Sequence, residues 1–293
     1  MSAAFPLADL ALSRRLERAE ALSNSRFVDA RAQLAPDCGA TWIEVAGARA
    51  MYDGPSSPMT QTFGLGLFQP IAAADLDAIE AFYDERASPV FHEVSPLADA
   101  ALPALLSERG YRPFEFSSVM YRPIDLAGLK PRATADSARG AQGVPNAQGG
   151  PEVAPGFSPV VRLIESGEEE VYARVSADGW SEFGFGDLIL QLGRVNAFVD
   201  GLGLFLAELD GRPIAAGALA LCDGVAHLAG ASTIPAGRKR GAQLALLDHR
   251  LRYALAHGCD IAMMAALPGS GSQRNAERNG FRIAYTRIKW QKT

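Results

Sequence analysis

The stretch from Ser232 to Leu247, Ser-Thr-Ile-Pro-Ala-Gly-Arg-Lys-Arg-Gly-Ala-Gln-Leu-Ala-Leu-Leu, joins a β-rich run to a helical one. Upstream, Val225 to Ile234 reads as a strand. Downstream, Leu244, Leu247, Leu251 and Leu255 recur at helical spacing and predict a helix from Gly241 to His257 with one buried face. The basic residues Arg238, Lys239 and Arg240 therefore stand at a helix N-terminus. The first turn of a helix leaves four N–H groups without intrahelical partners and carries a partial charge of roughly +0.5. Cations are misplaced there unless an anion joins them, and Gly241 lets the backbone approach a phosphate closely. A solvated surface turn is the plain alternative, but the strand-to-helix position favours a polyanion site.

The layout around this loop occurs twice. In the second half, the helix ending at Gly258 is followed by an apolar run, Ile261 to Leu267, and a helix from Ser272 to Asn279. Gly280-Phe281 and a strand, RIAYTRIKWQ, come next. In the first half, a helix from Asp75 to Arg86 precedes an extended run, Val90 to Val94, and a helix from Ala98 to Arg109. Gly110-Tyr111 and the strand FEFSSVMYRP follow. The two copies are offset by about 170 residues, and a glycine after each closing helix supplies the left-handed position that ends it. Upstream in the second half, Val160 to Ile164 is β-rich, and Glu168 to Asp178 and Phe185 to Val199 are helical. Leu204 to Leu209 and Ile214 to Leu221 then flank an Asp-Gly hairpin turn. The expected fold is α/β: two tandem copies, each a mixed, mostly antiparallel sheet flanked by helices. They are predicted at 1–125 and 159–293, joined by a flexible Ala/Gly/Pro-rich linker at 126–158 that holds few large apolar residues.

Bulk properties narrow the function classes. The 293 residues are 48% hydrophobic and 21% charged, as in an ordinary globular protein. A net charge of −5 argues against a broad nucleic-acid surface but leaves room for one local basic site. Cys38, Cys222 and Cys259 are widely spaced with no CxxC pair, so buried free thiols are expected, with no disulfide framework and no metal site. The N-terminal MSAAFPLADLALSRRLERAEAL reads as an amphipathic helix and not as a signal peptide, and no run of eighteen apolar residues occurs. A cytoplasmic protein that spans no membrane is expected.

The run Arg238-x-x-Gly241-x-Gln243 resembles the pyrophosphate-binding motif of the GNAT superfamily of acyl-coenzyme A N-acyltransferases, written [QR]-x-x-G-x-[GA]. The resemblance extends over about 159–293, with Gln243 departing from the small last residue. It implies acetyl-CoA as the cosubstrate and an amine of a small molecule or peptide as the acceptor. Main-chain groups of Ser232, Thr233 and Ile234 would pair with the pantetheine arm, and Arg238, Lys239, Arg240, Gly241, Ala242 and Gln243 would hold the pyrophosphate. Asn275, in the closing helix, is either a further coenzyme contact or a surface residue. Trp180, Glu182 and Phe183 fall where relatives line the acceptor pocket. Many members place a tyrosine acid four residues before the glycine of the Gly-aromatic step, where this chain has Ala276. Tyr285 is the nearest substitute and His227 the only titratable group on its strand, so these two are the candidate acid and base, each with a core role as its alternative.

The first half lacks the motif. Its corresponding junction, FGLGLFQP-IAAA-DLDAIEAF, holds no Lys or Arg, and Asp75 and Asp77 stand at the helix start, where they cap it and repel phosphate. This is the pattern of a degenerate copy that buttresses the second half, covers its acceptor cleft or binds a partner. The leading expectation is an N-acetyltransferase working by direct attack of the amine. A non-catalytic acyl-CoA sensor is the alternative, and a nucleotide P-loop is disfavoured because GxxxxGK[ST] is absent.

Overall fold

A computed structural model describes residues 4–127, 129 and 159–292. The expected linker therefore lies, but for Leu126, Ala127 and Leu129, outside the described residues. The first half holds α1 (Leu10–Leu34), β1 (Thr41–Val45), β2 (Ala48–Tyr52), β3 (Thr62–Phe63), α2 (Ala73–Asp84), β4 (Val90–Val94), α3 (Leu102–Glu108) and β5 (Arg112–Pro123). The second holds β6 (Val160–Leu163), α4 (Glu169–Asp178), α5 (Gly186–Asn196), β7 (Leu202–Leu209), β8 (Arg212–Cys222), β9 (Val225–Thr233), α6 (Ala242–Ala256), β10 (Ile261–Ala266), α7 (Gly271–Arg278) and β11 (Arg282–Lys292). The repeated series is therefore α2-β4-α3-β5 and α6-β10-α7-β11.

The two sheets expected from the sequence are one. Eleven strands run in the order β1-β2-β3-β4-β11-β5-β10-β9-β8-β7-β6, so each half receives the last strand of the other. At the centre β5 and β11 are antiparallel, with Arg282 opposite Tyr121 and Gln291 opposite Arg112. Arg112 and Arg282 are equivalent in the two copies, as are Tyr121 and Gln291, so the pairing is that of a twofold axis normal to the sheet. β5 then pairs with β10 and β11 with β4. Neither half has a complete sheet without the other.

Alternation along the strands sorts the helices into two layers. Phe205 and Ala207 of β7 pack with Leu246, Leu247 and Leu251 of α6 and Ala276 of α7, whereas Leu204 and Leu206 pack with Tyr172 and Val175 of α4. In the first half Ala48 and Ala50 meet Leu76 and Ile79 of α2, and Met51 meets Val28 of α1. Helices α2, α3, α6 and α7 thus share one face, and α1, α4 and α5 the other. The buried stripe of α6 runs through Ala242, Leu246, Leu247, Arg250, Leu251 and Ala254. It is rotated from the expected leucine row, and Leu244 is exposed. Each fully buried leucine contributes about 1.5–3 kcal/mol. Cys222 and Cys259 are buried free thiols as expected, but Cys38, just before a left-handed Gly39, is exposed.

The 25-residue helix α1 ties the halves together. It is capped by Asp9, whose carboxylate accepts the Leu12 N–H at 2.9 Å. Leu12, Leu16 and Ala19 pack on Val225 of β9, Met263 of β10 and Val119 of β5, and the next turns pack on the first half. Its stripe also carries charge. Arg287 of β11, 1% exposed, faces Glu17 and Glu20 of α1 at 3.4 and 3.0 Å and Glu93 of β4 at 3.3 Å. Lys289 is shared between Glu93 and Glu115 at 3.2 and 3.1 Å. Removing one member of such a group leaves an uncompensated buried charge and costs about 3–5 kcal/mol.

Two measurements test this architecture. A fragment of residues 159–293 lacks the strand between β10 and β11; it is expected to aggregate alone and to become soluble when co-expressed with residues 1–127. Independent folding of the fragment would contradict the exchange. The second concerns Glu17, whose carboxyl is pushed up to about 7 by burial, against the pull of Arg287 and with the repulsion of Glu20. A pKa raised on folding stabilises the protein while the group is protonated, and that contribution is lost as pH rises from the ordinary carboxylate range through about 7. Between about pH 5 and pH 8 the melting temperature of the wild type should fall more than that of Glu17→Gln, by several degrees, whereas parallel profiles would contradict the burial of an ionisable Glu17.

Candidate functional site

The loop singled out in the sequence lies where β9 leaves the sheet. After a short 3-10 turn at Pro235–Gly237, Arg238 is extended and Lys239 is left-handed, with φ 61°. Gly241 opens α6 with φ 77° and no side-chain cap. A Cβ at Gly241 would meet nothing within 4 Å, so the glycine is required by its backbone angle and not by crowding. Gly237 is the opposite case, since a Cβ there would lie 2.8 Å from Ile214 Cβ. Together these place an uncapped helix start, with no acidic residue in its first turn, beside the exposed Arg238, Lys239 and Arg240. Gln243 turns back from the first turn and donates to Thr233 Oγ1 at 2.8 Å. Its longer side chain thus joins the helix to the end of β9 without blocking the helix start.

Beside this loop the sheet is split. Strands β9 and β10 are parallel and pair over three rungs only: Val225 with Ile261, Ala226 with Ala262, and His227 with Met263. Beyond His227, β9 continues to Thr233 and β10 to Ala266 without pairing with each other, and β10 keeps its partner β5. The β9 edge from Leu228 to Thr233 therefore faces a fork, with backbone groups that an extended ligand can pair as an added strand. A bulge bends β9 at this point. Ala216 opposes Ser232 while Ala218 opposes Ala229, and Gly230 takes φ 58°. Arg250 of α6 supports the bulge by donating to the carbonyls of Ala218 and Ala229 at 2.9 and 3.3 Å. Ser232 and Thr233 lie on the free edge, and Ile234 is tied by its N–H to Ile214 O at 3.0 Å.

The equivalent place in the first half has neither feature. β3 is two residues long and ends at Phe63, its second and last rung with β4, so no strand edge continues into a fork. The start of α2 is occupied by its own side chains: Asp75 accepts the Ala72 N–H at 2.8 Å. Asp77, expected to cap as well, instead pairs with Arg109 at 2.7 Å. Arg109 also donates to Ala73 O.

On the α1–α4 face, next to the fork, the segment between α4 and α5 forms an aromatic group. Trp180 stands edge-on to Phe183 and Phe185 with centroids 5.8 and 6.4 Å apart, and the two phenylalanines are exposed. Glu182 in the same segment pairs with Arg238 of the basic loop. The segment is anchored at Gly179, where a Cβ would stand 2.6 Å from Ser232 Cβ.

Of the titratable candidates, His227 is buried on the last rung before the fork, pointing with Val225 toward α1. Burial pushes its imidazole below the ordinary value, Glu20 opposes this and Arg287 adds to it. Tyr285 is buried in the same group, and its hydroxyl donates to Glu17 Oε1 at 2.9 Å. Burial and the Glu17 carboxylate push the phenol well above its usual value, which weakens it as an acid. The structure thus places Tyr285 in one buried cluster with Glu17, Glu20 and Arg287, which the sequence did not reveal. Asn275 lies exposed on α7, with Asn279 Nδ2 3.4 Å from its Oδ1. No described helix is long and apolar enough to cross a membrane.

Comparison with known proteins agrees with this geometry. Residues 171–281 match the model of the acetyltransferase (GNAT) family. No curated protein matches the sequence. Among solved structures, a GCN5-related N-acetyltransferase from Kribbella flavida is 17% identical, covering 91% of this chain and 94% of its own, with a TM-score of 0.59. A GCN5-related N-acetyltransferase from Sphaerobacter thermophilus is 15% identical over 97% of this chain and 92% of its own, with a TM-score of 0.50. A tandem GNAT protein from the clavulanic acid biosynthesis pathway is 15% identical over 83% of this chain and 73% of its own, with a TM-score of 0.51. The chain has the fold of these proteins, and the segment that matches the acetyltransferase (GNAT) family model, 171–281, contains the fork, the basic loop and α6.

Proposed function

We propose that the chain is an acyl-CoA-dependent N-acyltransferase that moves acetyl from acetyl-CoA to a primary amine of a small molecule or peptide by direct attack. The observation that carries this reading is the junction of an open β9 edge with an uncapped, basic helix start. The edge at Ser232, Thr233 and Ile234 matches the amide groups of a pantetheine arm, and the loop from Arg238 to Gln243 matches a pyrophosphate. Asn275 is assigned to the coenzyme side of the same site. The working domain is taken as 159–293 and the degenerate copy as 1–125, with Trp180, Glu182 and Phe183 lining the acceptor side.

Direct attack requires a neutral amine held against a polarised thioester carbonyl. The amine lone pair forms the C–N bond as the C–S bond breaks, and the coenzyme leaves as a thiol after taking a proton. His227 is the base assigned here, because it stands at the head of the fork. One observation favours a second reading, a non-catalytic acyl-CoA sensor: Ala276 stands where the family places its tyrosine acid, and the Tyr285 hydroxyl is committed to Glu17.

The two readings share a binding step and differ in turnover. Acetyl-CoA is expected to raise the melting temperature of the wild type, and Arg240→Glu to abolish the rise through repulsion of the pyrophosphate. With a panel of primary amines the wild type is expected to release free thiol. An undiminished shift in Arg240→Glu would overturn the loop assignment, and binding without turnover across the panel would favour the sensor.

A further inference from the structure

The bulge in β9 changes the phase of that strand. The two-residue turn at Asp223 and Gly224, with φ 49° and 77°, makes Cys222 and Val225 the first hydrogen-bonded pair of the β8–β9 ladder. Every second pair repeats that pattern. Ala220 with His227 and Ala218 with Ala229 therefore also turn their N–H and C=O groups toward each other. Past the bulge β8 keeps its phase, but the β9 N–H that reaches Ile214 O now belongs to Ile234. Odd-numbered residues of β9 thus bond to β8 before the bulge and even-numbered ones after it. Thr233 is left to turn its N–H and C=O into the fork. The side chains record the same change. Val225 packs under α1 and Leu228 under α6, yet Ser232 Oγ donates to Ser176 O of α4 and Thr233 Oγ1 accepts from Gln243 of α6.

Arg250 holds this phase. It stands in the buried stripe of α6, 3% exposed, and among the described residues it has no carboxylate partner. Its guanidinium donates to the carbonyls of Leu246, Ala218 and Ala229 at 3.3, 2.9 and 3.3 Å. Ala218 and Ala229 form the last rung before the bulge, so the extra donor is supplied where the ladder breaks. Gly217, the β8 residue opposite Gly230 and Ala231, leaves room for it. A Cβ there would stand 3.0 Å from Nη1 of Arg250. A buried cation without an acid is costly, and a leucine would complete the stripe without that cost. An unbroken ladder would need neither the arginine nor the glycine.

We propose that Arg250 is a positioning residue for the pantetheine arm, which aims the Thr233 peptide groups into the fork by holding the β9 bulge. The proposal rests on the acetyl-CoA reading above and deepens it. Two parts of the site meet at Thr233. Its backbone faces the fork, and its hydroxyl is tied to Gln243 in the first turn of α6, beside the basic loop. A β9 strand without the bulge would turn those peptide groups back to β8 and the hydroxyl away from Gln243. Arg250 thus acts on the ligand through the β9 backbone.

Acetyl-CoA and 3′-phospho-ADP, which has the nucleotide and pyrophosphate but no pantetheine arm, separate the two parts of the site. In the full-length chain Arg250→Met is expected to weaken acetyl-CoA binding about tenfold or more and to leave 3′-phospho-ADP within about twofold. Arg250→Lys, which keeps a buried donor, should regain part of the difference. Gly217→Ala crowds the guanidinium without removing it and should follow Arg250→Met; it serves as the test variant if Arg250→Met does not fold. In the ligand-free chain, hydrogen exchange at Ala229 to Ile234 should quicken in Arg250→Met while that at Leu204 to Ala207 holds. Equal loss of both ligands, loss of neither, or unchanged exchange would overturn the proposal. Quickened exchange in a protein whose wild type binds neither ligand would leave the hold of Arg250 on β9 standing and remove the acetyl-CoA reading instead.

Discussion

The antiparallel pairing of β5 with β11 is the constraint on which the rest of the molecule depends. A strand pair related by a twofold axis normal to the sheet has to be antiparallel, and the rungs Arg282–Tyr121 and Gln291–Arg112 obey that symmetry. Because each strand then pairs outward with the opposite half, β10 is held by β5 and β4 by β11. The fork beside the basic loop depends on this. β10 departs from β9 after His227 while remaining fixed along its other edge to β5. A strand of the first half thus supports one wall of the fork in the second.

Helix α1 makes a second connection of the same kind, in charge. The buried Arg287 of β11 draws carboxylates from α1 and from β4, so the cluster exists only when both halves are assembled. Such a group is expensive to desolvate and contributes little net stability compared with apolar packing.

Much of the fold was legible because the repeat carries strong local signals. Val90 to Val94 is β4 as expected, and the bounds of α6, β10, α7 and β11 fall within two residues of the expected ones. Glycines with positive φ at 110 and 280 end α3 and α7 as their sequence positions implied. The strand exchange was not legible, since β5 and β11 have the same pattern and length whichever half they join. β3 escaped notice because two residues carry no periodicity. In the site, the basic loop was readable from charge and glycine placement at a strand-to-helix junction. The carboxylates were not, because the segment that holds Glu17 and Glu20 reads only as an amphipathic helix. One signal was present: Leu12, Leu16 and Glu20 follow each other at four-residue spacing, which puts Glu20 on the buried stripe. Tyr285 proved to belong to the same cluster, through its hydrogen bond to Glu17.

The first half is an internal comparison for the second. At the equivalent strand-to-helix junction it has a two-residue β3, a helix start held by Asp75 and an aspartate paired with Arg109. If one fork binds acetyl-CoA and its degenerate counterpart does not, the difference is recorded by backbone amides. The most direct measurement is hydrogen exchange of the whole chain with and without saturating acetyl-CoA. The account predicts slower exchange at Ser232 to Ile234 and at Gly241 to Leu244, with residues 62–75 unchanged. Protection at the start of α2, or none at the start of α6, would contradict it.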